Sequence, residues 1–323
     1  MNKEGGKFHK TFYCNQLYNW SDGEKVLDLF LISDVQYCSN DQGMKWLNVN
    51  LEDQTGIINA KVWNENIQME YEGMKGHIAC VSGKVGFYAG KPVFSIGQMK
   101  LAKESEIEVS EIIRLLPDEK ADVCLAQIKN IIDDVSSEEL KAFLESILNE
   151  EMLCEAGKLP VRAKGHHSYR GGLLAHMCDV MVSSIAYAES TCFFRENGID
   201  MDIVVAGALL HDIGSLLSFR RNGYLFVIND DDRLLGKDYI IHKVLYEAKE
   251  KSGLDDKLFA QVMHVIQASH GDAAPSTMEA MIVRKMNQLS AEVEIYENTC
   301  MFADMDREGF VYSRELKREI WRK

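Results

Sequence analysis

Leu209-Leu-His-Asp-Ile-Gly-Ser215 (LLHDIGS) sets an imidazole beside a carboxylate just past an apolar run. Such a pair can bind a metal ion, or it can be a polar break at the end of a buried helix. A metal needs further ligands, so the rest of the chain decides. Seven of the nine histidines fall between residues 166 and 270: His166, His167, His176, His211, His242, His264 and His270. A single histidine on a helix is usually structural, and the weight here comes from the grouping. His176 lies in a segment that reads as helix over 172–190, His211-Asp212 closes one over 202–213, and His270 ends one over 256–269. Ligands drawn from separate helices and converging in a bundle core are a common way to build such a site. Imidazole with carboxylate suits Mn, Fe, Zn or Ni better than Ca. His242 stands five residues after Lys237, off its helical face. His264 is six residues before His270, a net turn of about 240°, so a supporting hydrogen bond is the expected role.

Outward from this stretch the second half reads as helices, with two more over 236–252 and 276–300. Pro275-Ser276 followed by Glu279 has the form of a capping box opening the last. Residues 107–155 also read as helical. Leu140, Phe143, Leu144, Ile147 and Leu148 form one apolar face, and the acidic residues between them fit a solvated surface. The first hundred residues read as β. KVLDLFLISDVQYC, MKWLNVNLEDQTGIINAKVWN and GHIACVSGKVGFYAGKPVFSIGQMKLA alternate, with turns at DQTG (53–56) and YAGK (88–91). Four or five short strands of this kind predict a small barrel. Its candidate strand-binding residues are Trp46, Trp63, Tyr88, Lys61 and Lys91, set against the usual burial of strand aromatics; Tyr88 is the best surface candidate, and Trp46 and Trp63 could face the core.

With 323 residues the chain is long enough for two domains of about 150 residues each. The net charge of −14 is uneven: −1 over residues 1–105, −9 over 106–160 and −4 over 161–323. The acidity therefore sits in the middle, and the flanks leave room for a local basic groove. A near-neutral first segment predicts weak, salt-sensitive binding of nucleic acid. The eight cysteines are scattered without a C-x-x-C pair, as expected of reduced thiols in a cytoplasmic protein. No secretory leader is read at MNKEGGKFHK, and no apolar run suggests a membrane span.

HHSYRGGLLAH (166–176) followed by LLHDIG (209–214) resembles the HD phosphohydrolase superfamily. With LNVNLEDQTGIINAKVWN and GKVGFYAGKPVFSIGQMKLA before it and VMHVIQASHGD (262–272) after it, the chain is similar to the YhaM-type 3′→5′ exoribonucleases from about residue 10 onward. The resemblance implies a multidomain α+β chain. An OB-fold barrel (1–105) would be followed by an acidic helical connector (106–160) and an all-α HD-domain bundle (161–323). It implies His176, His211, Asp212 and His270 as metal ligands, with Asn287 at a further ligand position. His166, His167 and Arg170 would lie near the scissile phosphate. The implied activity is metal-dependent 3′→5′ hydrolysis of single-stranded RNA, with DNA also accommodated, releasing nucleoside 5′-monophosphates. Mn²⁺ is the expected ion, with Mg²⁺, Fe²⁺ or Co²⁺ as alternatives. A membrane partner is not implied, and assembly of identical copies is left open.

Four positions depart from the family pattern. The family's D-x-L-D-A stretch reads NQLSA, placing Asn287 at the first aspartate. LLGH reads LLGK, placing Lys237 at the histidine. Ser269 replaces the first histidine of a pair, and Ser215 replaces a lysine. One reading is a remodelled site holding one ion, with Lys237 supplying a fixed charge where a second would sit. The others are a catalytically impaired protein that binds single strands, and a hydrolase of small nucleotides.

Overall fold

The computed structural model describes residues 2–4, 7–63, 66–163, 165–192, 198–303 and 309–322. Two compact units account for the chain. One comprises Met1–Arg114, Arg221–Phe226 and Glu297–Lys323; the other comprises Leu115–Arg220 and Val227–Tyr296.

After a short hairpin of β1 (Asn2–Glu4) and β2 (Lys7–His9), the first unit builds a closed barrel. Its strands are β3 (Lys25–Ser39), β4 (Lys45–Asp53), β5 (Gly56–Trp63), β6 (Ile78–Tyr88) and β7 (Lys91–Leu101), ordered β3-β4-β5-β7-β6. All neighbours are antiparallel except β5 and β7. This is the strand order of an OB-like barrel. The period-2 pattern has a direct consequence: Leu47, Val49 and Leu51 of β4 and Ile58, Ala60 and Val62 of β5 point into the core. Long β3 closes the barrel because its first half pairs with β6 and its second half with β4, with a register shift between Ile32 and Asp34. Both turns expected from the sequence are present, as Asp53 pairs with Gly56 and Tyr88 with Lys91.

Distant segments complete this unit. Tyr224 N donates to Gly76 O at 2.7 Å, Asn15 Nδ2 to Met301 O at 3.4 Å and Arg114 Nη1 to Asn298 Oδ1 at 2.6 Å.

The helical region contains α1 (Asp118–Asp133), α2 (Glu138–Ile147), α3 (Glu150–Ala156), α4 (Gly172–Cys192), α5 (Met201–Leu210), α6 (Ile213–Ser218), α7 (Asp230–Leu235), α8 (Lys237–Ser252), α9 (Asp256–His270) and α10 (Met278–Phe302). The apolar face Leu140–Leu148 is buried, as its spacing requires. Three differences from the sequence reading stand out. Residues 107–117 form two short 3₁₀ turns and extended chain, because helix starts only after Pro117. Two hairpins interrupt the expected all-helical run: β8 (Phe219–Asn222) with β9 (Leu225–Ile228), and β10 (Gly309–Ser313) with β11 (Arg318–Arg322). The last helix is capped by Thr277, whose Oγ1 accepts from Ala280 N at 3.2 Å. Ser276 instead gives its N–H to His264 Nε2 at 2.9 Å, and Glu279 accepts from Asp200 N at 3.0 Å.

Met201–Ser218 reaches the length and apolarity of a membrane span, contrary to the sequence expectation. It is 78% buried and forms core of the helical unit.

Candidate functional site

Three elements bring the central ligands together. His176 lies on α4, His211 caps the end of α5, and Asp212 follows it before α6. All three are essentially buried. Asp212 Oδ2 is 3.4 Å from His176 Nε2 and 3.3 Å from His211 Nε2. Ligands about 2.1 Å from a common ion stand about 3.0 Å apart at octahedral edges and about 3.4 Å apart at tetrahedral ones. The observed edges fit a bound divalent ion.

The hydrogen bonds support that fit. His211 Nδ1 donates to Ala208 O at 2.7 Å, which leaves the lone pair on Nε2. That Nε2 is buried and has no hydrogen-bond partner among the described residues. A cation held by His176, His211 and Asp212 would complete the surroundings of this atom. Protonation states fit as well. Burial pushes the His176 imidazole well below its ordinary range, so it is neutral. Burial alone would raise the Asp212 carboxyl, but the histidines packed around it hold it well below the usual carboxylate range. Neutral imidazole and ionised carboxylate are the forms that bind metal.

Asn287 and Ser290 approach from α10. Asn287 Oδ1 is 3.1 Å from His176 Nε2, and Ser290 Oγ is 3.0 Å from His176 Nδ1. His270 stands beside the trio. Its Nε2 donates to His211 O at 2.6 Å and lies 3.5 Å from Asp212 Oδ1. Lys237 Nζ is 4.0 Å from the same Asp212 Oδ1 and 3.4 Å from Ser215 Oγ. It passes over Gly214, where a Cβ would overlap Lys237 Cε and Ile241 Cδ1.

A second group of possible ligands is His166, His167 and His176. The His166 and His167 Nδ1 atoms are 3.4 Å apart, and the His167 and His176 ring centroids 4.7 Å. His167 has φ of 50°, a conformation rare outside glycine. The paired glycines behind it make this possible. Gly171 has φ of 85°, and a Cβ on Gly172 would overlap the His167 carbonyl. Burial, then the nearby Arg162 charge, lower His166 to about 4. At neutral pH it is therefore a hydrogen-bonding group without charge.

The sequence reading missed Arg162, Ser290 and the buried Glu294, whose Oε2 is 4.0 Å from His167 Nε2. Asn287, Ser290 and Glu294 follow i, i+3, i+7 spacing, so the signal was a polar stripe on one face of α10. Arg170 is engaged through its backbone, its carbonyl accepting from Leu116 N at 2.8 Å. Its side chain makes no hydrogen bond or ion pair with the cluster among the described residues.

On the barrel, Trp46 and Trp63 are cross-strand partners on the outward face of β4 and β5. They are half-buried rather than core, and Lys61 Nζ lies 5.5 and 5.4 Å from their ring centroids. Trp63 Nε1 donates to Ser95 Oγ at 3.2 Å and Trp46 Nε1 to Asn48 Oδ1 at 3.0 Å. Tyr88, 79% exposed, and Lys91 flank the β6–β7 turn. Trp46, Trp63 and Lys61 thus share the outward face of β4–β5, while Tyr88 and Lys91 lie at the separate β6–β7 turn.

The fold and the centre define a protein with an OB-like barrel and a helical unit holding a His–Asp cluster suited to a metal ion. No family model matches the chain. Among solved structures it is similar to the second OB-fold domain of replication protein A from Methanococcus maripaludis. Identity is 20% over 32% of this chain and 97% of that one, with a TM-score of 0.20. It is also similar to asparaginyl-tRNA synthetase from Pyrococcus horikoshii, with 17% identity over 45% of this chain and 34% of that one and a TM-score of 0.23. Likenesses this slight carry no functional conclusion, and the barrel assignment rests on its own strand order.

Proposed function

We propose that this chain is a metal-dependent phosphodiester hydrolase of the HD type, acting on single-stranded RNA or DNA from the 3′ end. The observation that carries the reading is the buried His211 Nε2, which has no hydrogen-bond partner among the described residues and lies 3.3 Å from the Asp212 Oδ2 that also approaches His176 Nε2. A divalent ion such as Mn²⁺ held there would polarise a phosphoryl oxygen and lower the pKa of water. The chain's own groups do the rest. Lys237 offers a fixed positive charge to a phosphate beside Asp212. Neutral His166, with His167 beside it, offers hydrogen bonds. The Trp46–Trp63–Lys61 face offers stacking and charge to bases and backbone of a strand. One ion fits better than two, because Lys237 already lies near Asp212 Oδ1, the oxygen a second ion would use.

A second reading is strand binding without turnover. It is favoured by Asn287, whose neutral oxygen hydrogen-bonds the His176 nitrogen that a metal would use. A time course on 5′-labelled single-stranded RNA with Mn²⁺ separates the two. A ladder of shortening products that vanishes in Asp212→Ala supports hydrolysis. Intact RNA in both samples, with binding retained, overturns it in favour of the second reading.

A further inference from the structure

The β10–β11 hairpin buries one face and opens the other. Val311, Ser313 and Ile320 point inward and are buried. Ser313 Oγ anchors that side, accepting from Thr299 Oγ1 at 3.0 Å and from Leu316 N at 3.3 Å. The period of two turns Phe310, Tyr312 and Trp321 outward, and they are 59%, 57% and 52% exposed. Phe310 and Trp321 are cross-strand partners, with ring centroids 5.2 Å apart at 73°.

The open face of such a hairpin is ordinarily polar, because water already solvates it. Three adjoining rings there are not needed for the core, which Val311 and Ile320 enter from the other side. Exposed apolar groups clustered inside a polar rim mark an interaction surface. Charge selects the partner. Residues 309–323 carry five Lys or Arg against Glu315 and Glu319, net +3 in a chain of net −14. Arg314 and Lys317 are exposed in the turn that joins the two strands. A second copy docked face to face about a two-fold axis would set net +3 against net +3. A polyanion with flat, stackable groups meets both features, since rings take bases and cations take phosphates.

We propose that the outward face of the β10–β11 hairpin binds single-stranded nucleic acid, stacking bases on Phe310, Tyr312 and Trp321 and meeting phosphates at Arg314 and Lys317. The proposal rests on the strand-binding part of the reading above. It adds a contact surface outside the β3–β7 barrel and does not require turnover.

Fluorescence anisotropy of a labelled single-stranded oligouridylate, titrated with full-length protein in chelator at low salt, tests it. Tyr312→Ala and Trp321→Ala should each weaken binding about tenfold, as loss of one stacking contact does. Arg314→Glu with Lys317→Glu should weaken it and flatten its dependence on salt. Thermal melting confirms that the variants fold. Equal affinity in folded variants overturns the hairpin assignment and leaves the strand-binding reading standing. Affinity lost in the variants, with no hydrolysis by wild type in Mn²⁺, supports the hairpin and overturns the hydrolase reading alone. No binding by wild type overturns the hairpin together with strand binding. A dimer in sedimentation that Tyr312→Ala dissolves, with RNA affinity unchanged, gives the face to a second copy and overturns the proposal.

Discussion

The proton on His176 can sit on either ring nitrogen, and its position decides whether a cation can bind. Asn287 Nδ2 donates to Ser269 O at 3.3 Å, so its Oδ1 faces the ring and accepts from Nε2–H in the metal-free protein. Metal binding requires the proton on Nδ1 instead, where the Ser290 hydroxyl can accept it as readily as it can donate. Asn287→Asp would replace a neutral oxygen with a charged one. It should raise Mn²⁺ affinity about tenfold in calorimetric titration, while lowering the melting temperature in chelator because a second carboxylate then faces Asp212. Unchanged affinity would remove Asn287 from the centre. His166 supplies a pH dependence. Its folded pKa of about 4 lies below the ordinary 6.5, so the unfolded chain takes up the proton first. The associated stability is complete above about pH 6.5, falls as pH drops toward 4, and amounts to about 3 kcal/mol at most. Urea unfolding in chelator should show this slope, and His166→Gln should flatten it. The histidines and Asp212 were legible because their side chains are chemically distinctive. Arg162 and Glu294 were not, because a charged residue near a helix or loop looks the same whether it faces solvent or a buried imidazole.

Among the elements, the crossing of α5 and α9 sets the distance between His211 and His270. It is close because α5 carries Gly207, where a Cβ would overlap the Val265 side chain. Gly207→Ala should push the helices apart, cost about 1–3 kcal/mol in urea unfolding and weaken Mn²⁺ binding through the lost His270–His211 contact. Lost stability with unchanged metal affinity would show that the crossing does not position the centre. α9, with strong 3.6-residue periodicity, was readable nearly to its ends, whereas in α2 the apolar face was readable but not the breaks that separate it from α1 and α3. The β8–β9 hairpin was overlooked although Asn222-Gly223 between FRR and LFVI is a recognised turn signal. Its four-residue strands are too short to establish alternation, and helical patterns on both sides mask it. The cap of α10 shifted by one residue because Ser276 and Thr277 are both competent caps, and the N–H of Ser276 is claimed by His264.

For the whole molecule, domain limits drawn along the sequence could not reveal that the first unit takes residues from three separate stretches. Sequence patterns report local periodicity, whereas the contacts of Asn15 with Met301 and Arg114 with Asn298 join residues far apart in the chain. Ending the chain at Tyr296 should therefore reduce amide-exchange protection in β3–β7 while leaving α5 and α9 protected. Undiminished barrel protection would show that the later segment is dispensable. The same discontinuity bears on biosynthesis. At about 5–20 residues per second, a ribosome needs roughly ten to forty seconds to pass from residue 114 to residue 297. The barrel strands emerge first, yet they wait that long for their last partners, and the helical unit has all its residues before they arrive. During that interval the incomplete barrel is the nascent chain's most exposed substrate for chaperones and proteases.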